Sequence, residues 1–245
     1  MRQLLRRCGM CWVWALLVLG CDRAELPEKA PSGADYFPLE SGRYFIYQVD
    51  STAIVFNRET IYQYQERHTI TDSFRNEAGG ITYLMQRAFR ASAEAAWQPL
   101  SAWQVRRSGE ELVVVEGNTP FVRLAFPVQT GRSWNGNAFN SITGKDNCGD
   151  GVRFTCDRYE VTGTGGSVTL STGLAFNDTI EITEEDVPDV LTIFDVRKSV
   201  YAKGVGLVQR EVTYYDYCTA GACFGREEID SGLRYRLTLI EYGTL

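Results

Sequence analysis

Residues 233–242 read Leu-Arg-Tyr-Arg-Leu-Thr-Leu-Ile-Glu-Tyr. Leu233, Tyr235, Leu237 and Leu239 fall on one side of an extended chain, and Arg234, Arg236 and Thr238 on the other. Successive side chains of a strand point to opposite faces, so an apolar set with a period of two predicts a half-buried β-strand. Residues 43–55 carry the same pattern, with Phe45, Tyr47, Val49, Ala53 and Val55 on one side. Residues 61–71 place Tyr62, Tyr64, Glu66, His68 and Ile70 on one face.

Working outward, further strands are expected at 81–90, 101–107, 111–116, 121–126, 153–162, 167–171, 178–183, 190–201 and 206–217. Turn residues separate them: Gly79-Gly80, Ser108-Gly109, Gly117-Asn118, Gly131, Gly163 to Gly166 and Gly204. Many strands at short spacing, almost without helical periodicity, predict an all-β fold. The expected architecture is a single domain, a strongly curved antiparallel meander sheet that is half-barrel or barrel-like, with at most one or two short helices. The Ala-rich stretch 88–97 lacks an apolar stripe and reads as irregular. Residues 183–189 (TEEDVPD) are expected to make one short turn, which Pro188 keeps from extending.

Apolar residues make up 44% and charged residues 23% of the 245, values of an ordinary globular chain rather than a disordered one. The net charge of −6 shows no basic footprint for nucleic acid. Histidine occurs once, which excludes a multi-histidine centre by counting.

The first twenty residues read as an address. Arg2, Arg6 and Arg7 precede an apolar run from Met10 to Leu19, too short to cross a bilayer and suited to a signal peptide. The run ends in Leu17-Val18-Leu19-Gly20-Cys21, which resembles a bacterial lipobox. That resemblance implies cleavage before Cys21 and acylation of it, so the expected membrane partner is a bilayer held through N-terminal acyl chains. Each buried CH2 contributes about 0.8 kcal/mol, so several chains anchor firmly. An ordinary secretory signal with a chance cysteine is the alternative. Residues 1–20 are thus read as signal, 21–35 as a lipidated flexible tether with Pro27, Pro31 and Gly33, and 36–245 as the globular domain.

Removing the signal lowers Lys+Arg from 25 to 22 against 31 Asp+Glu, so the mature chain is near −9. Such a chain does not lie flat on anionic lipid. The expected location is the cell envelope, at the outer rather than the inner membrane.

Seven cysteines are present. Cys8 and Cys11 leave with the signal, Cys21 takes lipid, and Cys148, Cys156, Cys218 and Cys223 remain. An even number in an exported chain favours disulfides, and the short spacings favour Cys148–Cys156 and Cys218–Cys223. A zinc site is the rival, but neither spacing is the usual CxxC.

Tyr36 to Tyr44 (YFPLESGRY), Phe121 to Asn137 (FVRLAFPVQTGRSWNGN), Val200 to Glu211 (VYAKGVGLVQRE) and Glu241-Tyr242-Gly243 resemble blocks of a group of uncharacterised cell-envelope lipoproteins of Bacteroidota. The resemblance implies an exported lipoprotein and brings no catalytic residue with it. The blocks also have a structural reading. Trp134-Asn135-Gly136-Asn137 joins a large anchor to Asn-Gly turn chemistry, which accepts positive φ. Lys203-Gly204-Val205-Gly206 joins two strands, where glycine permits a bend.

Catalysis has little support. No GxSxG elbow occurs, and a triad would need His68, expected mid-strand beside Glu66, whose carboxylate would raise the imidazole pKa. Glu181, Glu184, Glu185, Asp186 and Asp189 read as a solvated loop, with a carboxylate-dependent hydrolase or a calcium site as the functional alternatives. Asp146 to Gly151 reads as a turn closed by a disulfide. Neither a metal nor a cofactor is expected.

The aromatics point further. Trp97, Trp103 and Trp134 survive signal removal, and with Tyr62, Tyr64 and His68 they are the candidates for lining a ligand site on a curved sheet. The functional expectation is a non-enzymatic envelope lipoprotein that binds a lipid-like or apolar molecule, or an envelope protein. A carbohydrate-binding surface lipoprotein is the alternative. It requires at least two of the three indoles on one exposed face.

Overall fold

The computed structural model describes residues 32–77, 79–141 and 158–245. Cys21, Cys148, Cys156 and the 146–151 turn lie outside these residues, as do the signal and most of the tether. Twelve antiparallel strands form one sheet: β1 (Arg43–Val55), β2 (Arg58–Arg75), β3 (Ile81–Arg90), β4 (Gln98–Arg107), β5 (Glu111–Glu116), β6 (Thr119–Ala125), β7 (Ser133–Asn135), β8 (Arg158–Thr169), β9 (Ala175–Pro188), β10 (Ile193–Ala202), β11 (Gly206–Tyr217) and β12 (Ile229–Thr244). Their order is β6-β5-β4-β3-β2-β1-β12-β11-β10-β9-β8-β7, a meander in which β1 and β12 pair across the middle. The curved all-β sheet expected from the alternation is therefore present, nearly closed into a barrel.

The two edge strands, β6 and β7, meet. Val122 N–H donates to Gly136 O at 2.9 Å, and Asn140 Nδ2 donates to Pro120 O at 2.7 Å. Closure satisfies edge groups that would otherwise be exposed pairing sites.

Inward residues of the strands form two apolar clusters. One gathers Ile70, Met85, Val105, Leu112, Leu124, Tyr159, Val161, Ile180 and Ile182. The other gathers Phe45, Tyr47, Val49, Leu170, Phe176, Val208, Leu237 and Leu239. The chain before β1 closes one end of the barrel: Ala34, Tyr36 and Leu39 belong to the first cluster. The segment is bonded on several sides, by Val128 N–H to Ser32 O (3.1 Å), Gly204 N–H to Asp35 O (2.8 Å) and Tyr36 O–H to Asp178 (2.5 Å). Ser32 to Asp35, read above as the end of the tether, are thus fastened to the barrel.

Several sequence expectations change. Gly163 to Gly166 do not end a strand: β8 runs through them, and the register with β9 shifts there instead. Absent side chains make bulges easy without breaking the ladder. TEEDVPD is not a turn, because β9 continues to Pro188, opposite Phe194 of β10. Proline is tolerated where a strand ends. Trp134 and Asn135 end a short strand, and the expected turn follows at Gly136 and Asn137. Gly136 has no positive φ; its lack of a side chain matters because a Cβ there would lie 2.3 Å from the Tyr159 ring. Gly204, at φ 74°, does turn the chain between β10 and β11 as expected. In β1 the inward set holds through Val49, but at the free tip Ile54 is buried and Val55 exposed.

Candidate functional site in the barrel lumen

Alternation along β2 turns Glu66, His68 and Ile70 inward, and all three are buried. Register places Arg87 of β3 opposite His68, and Trp103 of β4 opposite Met85. Beside His68, Met85, Arg87 and Trp103 lies a void of about 70 Å³, within some 700 Å³ of atom-free space that runs out to solvent. Its base is apolar: Phe37 and Pro38 from the N-terminal segment meet Val205 and Leu207 from β11 and the turn before it. Phe45, Tyr47, Tyr201 and Leu237 form walls. Arg87, Glu116, Arg123, Arg210 and Tyr235 form the polar ring of its lining.

Two buried charge networks support this ring. In the first, Glu66 Oε2 lies 2.9 Å from His68 Nε2 and also binds Arg87 Nη2. Arg87 Nε lies 3.2 Å from the same His68 nitrogen. One ring nitrogen either donates to Glu66 or accepts from Arg87, so the two contacts are alternatives. The Arg87 guanidinium stacks 4.0 Å above Trp103, whose indole meets His68 edge-on at 5.3 Å. In the second network, Arg123 Nε and Nη2 donate to Glu116 at 3.1 and 2.6 Å. Its Nη1 donates to Tyr159 Oη and Glu184 at 3.0 and 3.2 Å. Glu184 also accepts from Ser199 (2.5 Å) and from Arg210 Nη2 (2.6 Å).

Burial sets the protonation states. Loss of water lowers the His68 pKa, outweighing the Glu66 carboxylate, so the raised value expected from sequence is corrected. Burial works against charge on Glu184 as well, but Arg210 and Arg123 hold its pKa at about 2. Burial likewise opposes charge on Glu66, where His68 and Arg87 prevail and its pKa falls below the ordinary value. Every carboxylate in these networks with a resolved shift is therefore held ionised, whereas a hydrolase would need one kept protonated. Glu111 is raised by burial, but it lies at the β4–β5 turn outside this ring. Among the described residues no group of three or more His, Cys, Asp or Glu could hold a metal.

The sequence candidates divide. His68 and Trp103 line the void. Tyr64 is half-buried against the second cluster, and Tyr62 stands exposed further along the same strand face. Trp134 sits at the seam, its ring 5.9 Å from that of Tyr159. Trp97 is clamped between Arg67 (4.9 Å) and Arg90 (4.4 Å), whose positions alternate with the inward ones and so face outside. The three indoles thus do not share one exposed face. Cys218 and Cys223 are bonded, with Cα atoms 5.9 Å apart. Glu184, assigned above to a solvated loop, is 1% exposed in the lumen. Arg87, Glu116, Arg123, Arg210, Tyr201 and Tyr235 were not singled out from sequence. Alternation does not mark Arg123 as inward, since its neighbour Leu124 already is; it lies at the register shift in the β5–β6 pairing.

Fold and site together define a near-closed antiparallel β-barrel with an apolar base and a charge-paired lumen. No protein-family model matches the chain, and no curated protein matches it. Two solved structures are similar. A Bacteroides fragilis protein described as exported, with a YmcC-like fold, is 13% identical, with 85% of this chain and 98% of that one covered and a TM-score of 0.45. A Parabacteroides distasonis protein described as a lipoprotein is 12% identical, with 88% and 100% covered and a TM-score of 0.43.

Proposed function

We propose that the protein is a non-enzymatic envelope lipoprotein, anchored through acyl chains on Cys21 in the outer membrane, that binds an apolar small molecule in its lumen. The Arg-Gly-Cys order of residues 1–21 supports the anchor. The observation that carries the binding reading is the void itself. A sheet that could have filled its interior keeps space over an apolar floor of Phe37, Pro38, Val205 and Leu207. Ligand sites are typically concave, mostly apolar and furnished with a few placed polar groups.

The test is native mass spectrometry of the full-length protein released gently from its own membranes. A co-purifying apolar compound, lost on filling the void by Val114→Phe, is the expected result. A ligand-free protein that also fails to take up any apolar compound would overturn the reading.

A protein partner is the second reading, favoured by one feature. At the β1–β2 tip Phe56 is 74% and Ile61 67% exposed, an apolar edge of the kind that marks association surfaces.

A further inference from the structure

The arginines of the lumen are not equally occupied. Arg87 donates from all three nitrogens, to His68, Ser101 and Glu66. Arg123 likewise uses all three. Arg210 donates only from Nη2, to Glu184. That carboxylate already serves Arg123 and Ser199. Arg210 Nε is buried with no partner among the described residues. An unmet buried donor on a charged group is costly, and the side chain that carries it borders the void, about one-fifth exposed.

Charge decides what kind of acceptor. Glu66, Glu116 and Glu184 face Arg87, Arg123 and Arg210, one carboxylate for each guanidinium. An anion entering this balanced set would bring uncompensated charge beside Glu116 and Glu184. A hydrocarbon would leave Arg210 unmet. A carbonyl oxygen accepts from Arg210 and adds no charge.

We propose that the lumen selects a neutral acylated compound, an ester or amide, with its hydrocarbon end on the Phe37–Leu207 floor and its carbonyl at Arg210. This rests on the binding reading above and names the ligand class for the same site. With a void of about 70 Å³, only a short stretch of chain is enclosed, and the rest of the molecule lies in the open space above.

The test compares methyl hexanoate, hexanoate and hexane on the full-length protein in detergent. Affinity is read from the rise of melting temperature with ligand concentration. The ester is expected to bind at least about tenfold tighter than either of the others. Arg210→Lys keeps a cation for Glu184 but loses the unmet Nε donor, and it should bring the ester down to the level of hexane. Equal binding of ester and hexane by the unaltered protein would overturn the inference while leaving apolar binding intact. Tightest binding by hexanoate would overturn the neutral class. No shift with any compound, or a shift that survives Val114→Phe, would overturn the lumen reading beneath it. Leu207→Phe serves the same purpose where Val114→Phe does not fold.

Discussion

The indole N–H of Trp134 donates to the carbonyl of Val122 at 2.8 Å, and this bond ties together the two edge strands of the sheet. The same indole meets Tyr159 edge-on, and the Tyr159 hydroxyl accepts from Arg123 inside the lumen. Seam and lumen are therefore mechanically connected. Trp134→Phe should cost about 1–2 kcal/mol through the lost hydrogen bond and reduced packing. Amide exchange at Val122 should accelerate more than at Leu237, and equal acceleration at both would show that the seam is not what loosened.

Gly136→Ala tests the same place sterically. A Cβ would lie 2.3 Å from the Tyr159 ring, so the seam must spread. Overpacking of this kind typically costs about 1–3 kcal/mol, read as a lower urea midpoint. An unchanged midpoint would mean that the ring yields freely.

Arg123→Met leaves Glu116 and Glu184 without their shared cation. Breaking a buried pair by removing one partner costs about 3–5 kcal/mol, so this variant should be among the least stable single changes. Exposed Arg234→Met, which loses surface contacts with Glu59 and Tyr215, should shift stability by less than 1 kcal/mol. Chemical denaturation of both variants makes the comparison.

Acid should unfold the protein in two stages. His68 and Glu184 both have pKa values below the ordinary ones of 6.5 and 4.5. In each case the unfolded chain binds the proton first, so the stabilisation is complete above the ordinary value and fades as pH falls towards the folded one. The first decline starts near 6.5, and the second runs from about 4.5 down to about 2. The second stage is on the order of 3 kcal/mol, from the lowering of the Glu184 pKa. Urea midpoints of Glu184→Gln should lose most of the lower stage, Glu66 supplying the remainder, and keep the upper one.

Cys21→Ala should move the protein from the membrane fraction to the soluble fraction and abolish incorporation of a labelled fatty acid. Retention in membranes without label would argue against acyl anchoring. The Cys218–Cys223 bond closes a short loop, worth about 2 kcal/mol by loop-closure entropy, and reduction should lower stability by no more than that.

Much of the architecture was legible because strand alternation is a local property. Arg43–Val55, Ile81–Arg90, Glu111–Glu116 and Gly206–Tyr217 are strands with the bounds the sequence predicts. The inward placing of Glu66, His68 and Ile70 follows from the same period of two. Where the reading failed, the local signal was ambiguous. A glycine-rich stretch can end a strand or bulge it, and the choice at Gly163 to Gly166 depends on the neighbouring β9. A run of acidic residues looks solvated until a partner strand supplies cations, as β6 and β11 supply Arg123 and Arg210 to Glu184.

From the sequence alone came the class of fold, the direction in which most strand residues point, and the chemistry expected at Cys21. All of these depend on residues near one another in the chain. Tertiary structure alone decided that the sheet closes at Val122 and Gly136, that Arg123 joins Glu116 to Glu184, and that a void remains beside Arg210. Each of those brings together groups from distant strands, and no periodicity along a single strand encodes how far the sheet curls before its edges meet.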